Sequence, residues 1–264
     1  MKSLSVYLVV KNEEDRLERT LKAIRPLADE IVVVDSGSTD RTLEIARRHA
    51  DKVTFHEWTY IADQKHYAES LCTNDWLLTL DADEVVGEQL AGEIRKWKAD
   101  DDESVKAFRI YVADMFPGET RPKRWTRRYD DIRLYHRDFA TMPADVMTDD
   151  RVVTKRPIPV GQFRGDVEHY SYQTLSAVIA KINEYTDVQV RVMRERGKRY
   201  SAWRLLVEFP VQFLRYYFYR RFFTHGLIGV LTAGTAALLR WVKIAKFIEA
   251  ECLDRMKGSR GVGM

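Results

Sequence analysis

Residues 74–85 have the sequence Asn-Asp-Trp-Leu-Leu-Thr-Leu-Asp-Ala-Asp-Glu-Val, and this stretch decides the fold. Its first part, Trp76 to Leu80, is a short apolar run that suits a strand buried on both faces of a parallel sheet. The run ends in three acidic residues, Asp81, Asp83 and Glu84. In an open α/β sheet, ligands bind just beyond the carboxyl ends of the strands. Clustered carboxylates repel one another unless a cation lies between them, and Mg²⁺ or Mn²⁺ bound to a diphosphate suits oxygen ligands. The alternative is a solvated acidic turn.

The composition describes an ordinary globular protein of 264 residues, with 45% hydrophobic and 31% charged residues. This length suits one large domain, or one domain with an appendage. Two cysteines, Cys72 and Cys252, form no metal or disulfide pattern, which favours a reducing compartment such as the cytoplasm. The N-terminus leads directly into a strand-like run, so we expect no signal peptide there.

Charge is distributed unevenly along the chain. Residues 191–264 carry 15 Lys and Arg against 5 Asp and Glu, whereas residues 1–190 carry 28 against 35. The net charge of +3 therefore conceals a basic, aromatic-rich tail behind an acidic front. This asymmetry suggests a catalytic body with an end that faces anions or a membrane.

Strands and helices alternate through the first 80 residues. Apolar β-branched runs predict strands, and apolar residues at helical spacing predict helices between them. The predicted strands are residues 4–10, 30–35, 52–57 and 76–80, and the predicted helices lie around residues 17–24, 43–46 and 61–70. This order is typical of βαβ units with right-handed crossovers. We therefore predict an α/β fold with a mostly parallel central sheet.

Asp35 ends the second predicted strand, much as Asp81 and Asp83 follow the fourth. An acidic residue at this place can accept hydrogen bonds from a ribose or from a base N–H. The sequence contains neither Gly-x-Gly-x-x-Gly nor a Walker lysine loop. Dinucleotide cofactors and ATP-type phosphoryl transfer are therefore poorly supported.

Three motifs, in this order and spacing, resemble the signatures of family 2 glycosyltransferases. They are Val-Val-Lys-Asn-Glu-Glu (9–14), Val-Val-Asp-Ser-Gly-Ser-Thr-Asp (33–40) and Trp-Leu-Leu-Thr-Leu-Asp-Ala-Asp-Glu (76–84). The chain looks most like the small bacterial lipopolysaccharide-core β-glucosyltransferases, with further support from residues 63–65, 131–137 and 165–171. The resemblance implies a GT-A nucleotide-diphospho-sugar fold, a nucleotide-sugar donor, a divalent metal and inversion at the anomeric carbon.

The resemblance also implies roles for individual residues. The nucleotide-sugar pocket would contain Lys11, Asn12, Glu13, Asp35, Lys65, Asp81 and Ala82. In that pocket Asp35 would bind the uracil or ribose, and Lys65 would face the base or the diphosphate. Asp83 would take the metal, while Asp81 would bind the ribose or a metal-bound water. His169 matches a downstream histidine that often completes the metal site in relatives. By itself, a lone histidine is more often a core or surface residue than a metal ligand.

An inverting transfer needs one carboxylate that takes the proton from the attacking acceptor hydroxyl. In relatives, an acidic residue between the Asp-x-Asp motif and the downstream histidine has this role, commonly within a His-Glu pair. This chain has Asp149-Asp150 instead. We predict Asp150 as the base, with Asp149 as the alternative; the bland interpretation is that both belong to a turn.

Residues 117–128 form a basic segment around a tryptophan. We predict an acceptor-side clamp for phosphates or a sugar, in which the tryptophan serves as a stacking platform. Its candidate residues are Arg124, Trp125, Arg127 and Arg128. The alternative is a solvated basic loop.

The predicted domains are a GT-A catalytic domain at 1–172 and a helical extension at 173–264. The catalytic domain would comprise a nucleotide-sugar half at about 1–90 and an acceptor half at about 91–172. In the extension, the apolar run 226–239 is shorter than the roughly 20 residues of a spanning helix. Cations, aromatics and apolar faces together predict helices in an anionic membrane interface. The alternatives are a core cap and a homo-oligomer interface, whereas nucleic-acid binding is disfavoured because no recognition motif accompanies the basic residues.

The sequence thus predicts a metal-dependent inverting glycosyltransferase, peripheral on the inner face of the cytoplasmic membrane. It would move a hexose, with glucose favoured, from a UDP-sugar to a lipid-anchored oligosaccharide, with an inner-core heptose of lipopolysaccharide as the favoured acceptor. The alternatives are a transferase for another surface polysaccharide or glycolipid, a sugar nucleotidyltransferase and a catalytically silent membrane scaffold. A nucleotidyltransferase should carry a Gly-rich basic loop after the first strand, where this chain has Lys-Asn-Glu-Glu. A silent scaffold could lose its acidic residues, which are all present here.

Overall fold

The structure of the protein is a computed structural model that describes residues 1–123, 125–126, 128–144, 150–171 and 175–260. The chain divides into two compact units. The first comprises Met1–Met115 with Arg128–Ser171, and the second comprises Phe116–Arg127 with Tyr172–Met264. The predicted domain boundary near residue 172 stays a prediction.

The first unit contains an eight-stranded sheet in the order β3-β2-β1-β4-β7-β6-β10-β5. Its strands are β1 (Leu4–Val10), β2 (Glu30–Asp35), β3 (Lys52–Phe55), β4 (Trp76–Thr79), β5 (Glu84–Val86), β6 (Ala107–Asp114), β7 (Arg128–His136) and β10 (Val160–His169). Two short strands, β8 (Ala140–Thr141) and β9 (Val153–Thr154), pair separately. The helices of this unit are α1 (Leu17–Ile24), α2 (Thr42–His49), α3 (Ile61–Ser70) and α4 (Glu88–Ala99).

The sheet has a parallel half and a mixed half. Strands β1 to β4 pair in parallel, as the βαβ pattern predicts. Strand β7 is antiparallel to both β4 and β6, β10 is parallel to β6, and β5 is antiparallel to β10. The predicted α/β class with a mostly parallel sheet is therefore confirmed. Strand β10 was not predicted, because it contains two glycines and four charged or amide residues and buries few apolar side chains.

The core lies on both faces of the sheet, since successive side chains of a strand point to opposite faces. Leu4, Val6 and Leu8 of β1 belong to a cluster that includes apolar side chains of α1 and α4. Tyr7, between them, belongs to a second cluster that includes Ala68 of α3. Burying each large apolar side chain contributes about 1.5–3 kcal/mol, so this packing fixes α3 on one face of the sheet.

The C-terminal part of the second unit is helical over its described elements, as the sequence predicts for this region. It contains α5 (Leu175–Glu195), α6 (Arg204–Leu214), a π-helical turn (Arg215–Tyr219), a short 3₁₀ helix (Phe222–His225) and α7 (Gly226–Arg260). Pro210 lies inside α6, five residues before the π-helical turn begins at Arg215. A proline removes a backbone donor, so α6 lacks the hydrogen bond from residue 210 to the preceding turn.

Helix α7 is longer than the apolar run 226–239, whose length alone suggested that it does not span a membrane. The stretch Phe222–Met256 is long and apolar enough to cross a membrane by length and composition. The run belongs to a longer helix, which continues through Arg240 and Lys243, so the length of the run alone does not exclude a spanning helix. A core helix of a soluble protein meets the same criterion, so membrane contact stays a prediction.

Candidate active site

The site forms where the parallel strands of the first unit end. Val10 pairs with Asp35 and Tyr7 pairs with Thr79, so the segments that follow β1, β2 and β4 leave the sheet at the same edge. Asn12 adopts a φ of 56°, a left-handed conformation that asparagine tolerates better than most residues. Its side-chain oxygen accepts a hydrogen bond from the N–H of Thr39 at 2.8 Å. This bond joins the loop after β1 to the loop after β2.

Asp35 is buried at the end of β2 and organises its own turn. Its carboxylate accepts backbone hydrogen bonds from Gly37 at 2.9 Å and from Ser38 at 3.0 Å. Gly37 has a φ of 92°, which a side chain would strain. A carboxylate has further lone pairs available to a ligand, so the predicted contact with uracil or ribose stays open.

Lys65 of α3 lies between the carboxylates of Asp81 and Asp150. Its Nζ is 2.8 Å from Asp81 Oδ1 and 2.6 Å from Asp150 Oδ2, and its side chain is only 2% exposed. Burial lowers the pKa of Lys65, but the two carboxylates outweigh this effect and raise it. Burial raises the pKa of Asp81, yet Lys65 and Arg133 hold it well below its usual range. One ammonium group thus serves two carboxylates, and Arg133 acts as a second cation on Asp81.

Glu84 and Arg133 form a buried ion pair behind the Asp-x-Asp motif. The guanidinium of Arg133 binds both carboxylate oxygens of Glu84, at 2.9 and 3.0 Å. The same carboxylate accepts a hydrogen bond from the N–H of Asp81 at 2.9 Å. The pair therefore fixes the backbone of the motif to strand β7.

Asp83 contacts two cationic side chains. Arg16 Nη1 is 3.1 Å from Asp83 Oδ2, and His169 Nε2 is 3.5 Å from Asp83 Oδ1. The other ring nitrogen of His169 is 3.2 Å from Asp114 Oδ1. Burial disfavours protonation of His169, but the hydrogen bonds to Asp114 and Asp83 outweigh it and raise the pKa of the imidazole to about 10. His169 is therefore oriented by one carboxylate and directed at another.

A pocket of about 200 Å³ opens beside these charges. Among the residues around it, Asp81 and Asp150 contribute carboxylates, and Arg133 and Arg151 contribute guanidinium groups. The lining residues are Thr79, Asp81, Tyr129, Asp131, Ile132, Arg133, Asp150 and Arg151. The predicted base and the first aspartate of the Asp-x-Asp motif thus lie on the same pocket.

Asp83 and His169 fit a divalent cation in the chemistry of their donors once His169 has lost its proton, since only a neutral imidazole ligates a metal. A carboxylate oxygen faces an imidazole nitrogen, and the second ring nitrogen is held by Asp114, an arrangement typical of metal-ligating histidines. Over the described ranges, no group of three His, Cys, Asp or Glu residues is arranged to hold a metal. Mg²⁺ is commonly bound by one or two carboxylates together with substrate phosphates, so two protein ligands suffice when a diphosphate completes the set.

The remaining predicted site residues lie in different surroundings. Lys11 is exposed, and the N–H of Glu13 donates to Thr42 Oγ1 at 2.7 Å. Ala82 is buried, and its carbonyl accepts a hydrogen bond from Thr20 at 2.8 Å. The backbones of Glu13 and Ala82 are therefore hydrogen-bonded within the protein.

Two of the four predicted clamp residues, Trp125 and Arg128, lie among the described residues, and the acceptor clamp stays a prediction. Trp125 is 60% exposed and belongs to the second unit. Arg128 belongs to the first unit, where its guanidinium binds both oxygens of Asp166 at 2.7 and 2.8 Å. Arg124, Arg127 and Asp149 lie outside the described residues.

The side chains at the site that were not predicted include Arg16, Asp114 and Arg133. A sequence signal existed for Arg133, because a charged residue inside the apolar end of β7 needs a buried counter-charge. Arg16 follows an acidic turn, and Asp114 ends a strand, but neither pattern identifies a partner. Their partners lie 67 and 55 residues away in the chain.

Comparison with known proteins identifies the family of this chain. A model described as "Glycosyl transferase family 2" matches residues 5–150. An uncharacterised glycosyltransferase of Rickettsia typhi is 32% identical over 262 residues, covering 97% of this chain and 90% of the relative. The lipopolysaccharide core biosynthesis glycosyltransferase LpsC of Rhizobium meliloti is 28% identical over 256 residues, covering 95% and 93%. Among solved structures, S. aureus TarS in complex with UDP-GlcNAc has a TM-score of 0.46 at 14% identity, covering 74% of this chain and 66% of that one.

The Glu84–Arg133 pair yields a stability prediction. Arg133→Met leaves a buried carboxylate unpaired, so the free energy of unfolding in urea should fall by about 3–5 kcal/mol. The double variant Glu84→Leu with Arg133→Met removes both charges and should recover most of that loss. Glu18→Ala, which breaks the exposed Glu18–Lys22 pair, is the control and should leave the free energy of unfolding nearly unchanged. A single variant as stable as the control would show that the pair does not hold the motif.

Proposed function

The chain belongs to glycosyl transferase family 2, and from this premise we propose that it transfers a hexose, with glucose favoured, from a UDP-sugar to a lipid-anchored oligosaccharide with inversion. The observation that carries the proposal is the pocket that Asp81 and Asp150 share. One carboxylate belongs to the motif expected at the donor, and the other is the predicted base. An inverting displacement needs donor and base on the same site, and no covalent nucleophile.

The donor half of the proposal rests on the carboxyl edge of the sheet. Asp35, Asn12 and the exposed Lys11 lie at the ends of the first two strands, where α/β folds bind nucleotides. Asp83 and His169 are the residues that would hold Mg²⁺ or Mn²⁺, with Asp81 as a further candidate. When bound, such a cation supplies positive charge that stabilises the leaving diphosphate. Arg16, already paired with Asp83, adds a cation from the protein itself.

The acceptor half rests on Asp150 and on the relatives. The side chain of Asp150 is 41% exposed and lines the pocket, so an acceptor hydroxyl can approach it. As general base, Asp150 would take the proton of the acceptor hydroxyl. The hydroxyl oxygen would attack the anomeric carbon as the UDP leaves. The relative LpsC is described as a glycosyltransferase of lipopolysaccharide core biosynthesis, which supports an acceptor in that core. Within the core, we propose an inner-core heptose as the acceptor. Another surface polysaccharide or glycolipid is the second candidate.

We also propose that the protein is peripheral on the inner face of the cytoplasmic membrane. This part of the proposal rests on the second unit. Large apolar side chains are exposed there, among them Leu206 at 81%, Tyr219 at 78%, Leu227 at 74% and Phe218 at 58%. The C-terminal region has a large excess of Lys and Arg, which complements an anionic bilayer. We propose that this surface lies in the membrane interface beside the lipid-anchored acceptor. We keep residues 1–172 as the catalytic domain and 173–264 as the helical extension that binds the membrane.

Calorimetric titration tests the donor. UDP and UDP-glucose should bind in the presence of Mn²⁺, whereas UDP-galactose and GDP-mannose should bind more weakly. Asp83→Asn should remove the metal dependence while leaving the thermal unfolding transition in place. Metal-dependent binding of another nucleotide sugar would change the donor, and failure of every nucleotide to bind would overturn the proposed function.

Paired variants test the base. Asp150→Asn should keep UDP binding and reduce transfer by about 10²–10⁴-fold, the usual contribution of a general base. Asp149→Asn is the matched control and should reduce transfer far less. If Asp149→Asn is instead the crippling change, the base is Asp149.

Vesicle sedimentation tests the membrane surface. Phe218→Ala with Leu227→Ala should weaken binding to phosphatidylglycerol-containing vesicles at least tenfold, because burying each side chain contributes about 1.5–3 kcal/mol. Trp58→Ala, which truncates a half-exposed tryptophan in the first unit, should bind like the wild type. Unchanged vesicle binding, together with a shift from oligomer to monomer in the double variant, would identify the surface as a homo-oligomer interface.

A further inference from the structure

The Lys65 ammonium group lies beneath the pocket, whereas its two partners face into it. The Lys65 side chain is 2% exposed, but the side chains of Asp81 and Asp150 are 38% and 41% exposed. Both aspartates line the pocket, and Lys65 does not contribute to its lining. A diphosphate in this pocket would therefore meet the carboxylates before it met the ammonium group. This placement argues against the predicted direct contact between Lys65 and the nucleotide sugar.

The helix that carries Lys65 also binds the segment that leads toward Asp150. Glu69 accepts hydrogen bonds from Thr141 Oγ1 and from the N–H of Met142, both at 2.7 Å. His66 Nδ1 donates to the carbonyl of Met142 at 2.8 Å. Lys65 and Glu69 are four residues apart and lie on the same face of α3. One face of this helix therefore holds the chain at residues 141–142 and again at Asp150.

This anchoring has a clear structural origin. Glu69 also accepts a hydrogen bond from the hydroxyl of Tyr135 at 2.6 Å, and that hydroxyl is 2.7 Å from the hydroxyl of Tyr7. Tyr7 and Tyr135 belong to the buried strands β1 and β7. The anchoring face of α3 is thus fixed to the sheet, which is the rigid part of the unit.

We propose that Lys65 is a positioning residue for the base, and that its ammonium group fixes the Asp150 carboxylate beside Asp81 instead of binding the nucleotide sugar. This inference rests on the proposed function, because it takes Asp150 as the base. Without the ammonium group, two carboxylates on one pocket repel each other, and Asp150 moves away from the place where an acceptor hydroxyl attacks.

A double-mutant cycle on Lys65 and Asp150 tests the inference. UDP release from UDP-glucose is measured with lipopolysaccharide core glycolipid as the acceptor. Lys65→Met should lower kcat by about 100-fold, as expected when a general base loses its position. The UDP dissociation constant should change by less than about threefold, since less than 1 kcal/mol of binding is lost. The double variant should be no slower than Asp150→Asn alone, because two residues that act as one unit are not additive.

Two further variants separate charge from general damage. Lys65→Arg keeps the positive charge and should retain more turnover than Lys65→Met. Lys22→Met removes a lysine from the exposed Glu18–Lys22 pair and should behave like the wild type. If Lys65→Met does not fold, Lys65→Gln replaces it in the same cycle, because an amide can still donate to both carboxylates without the charge.

Hydrogen–deuterium exchange gives a readout that does not depend on activity. The amides of residues 150–154 should exchange faster in Lys65→Met than in Lys22→Met. Unchanged exchange, a UDP affinity more than about tenfold weaker in Lys65→Met, or losses that add to those of Asp150→Asn would each overturn the positioning role. A wild-type protein that releases no UDP would instead overturn the proposed function, while the exchange experiment still decides whether Lys65 fixes Asp150.

Discussion

Charge compensation at the carboxyl edge of the sheet is the constraint on which the rest of the site depends. Four acidic side chains meet there, and each lies within ion-pair distance of a cation. The acidic residues are Asp81, Asp83, Glu84 and Asp150, and the cations are Lys65, Arg16, Arg133 and His169. Buried or half-buried carboxylates without such partners would be driven apart or protonated. Because the cations come from the residue before α1 and from α3, β7 and β10, the site exists only when distant parts of the first unit are in place.

This dependence explains what the sequence could and could not predict. The strands from Leu4 to Thr79 were predicted because their apolar periodicity is local, and the Asp-x-Asp motif follows directly from one of them. Strand β10 has no such periodicity, since it exists through its pairing with β6 and β5. Arg133 and Asp114 acquire their roles from partners 49 and 55 residues away, and no local pattern records such a pairing. Lys65 was predicted as a site residue, but its place beneath the pocket follows from the packing of α3 alone.

Helix α3 connects the stability of the fold with the chemistry of the site. Ala68 packs in the apolar cluster beside the sheet, while Lys65 contacts Asp150, and His66 and Glu69 hold residues 141–142. The same short helix therefore serves the core on one side and the pocket on the other. A change that shifts α3 alters the geometry of both, so we expect core packing in this helix to influence turnover as well as stability.

The two edges of the large sheet are short. Strand β3, with four residues, forms one edge, and β5, with three residues, forms the other. An exposed strand edge can recruit strands from other chains, and a short edge offers few unpaired backbone groups for this. The long central strands of the described sheet are protected from such recruitment as long as the unit stays folded. Amyloid-like aggregation of the first unit therefore requires the sheet to open, and solubility during expression depends on the stability of its interior.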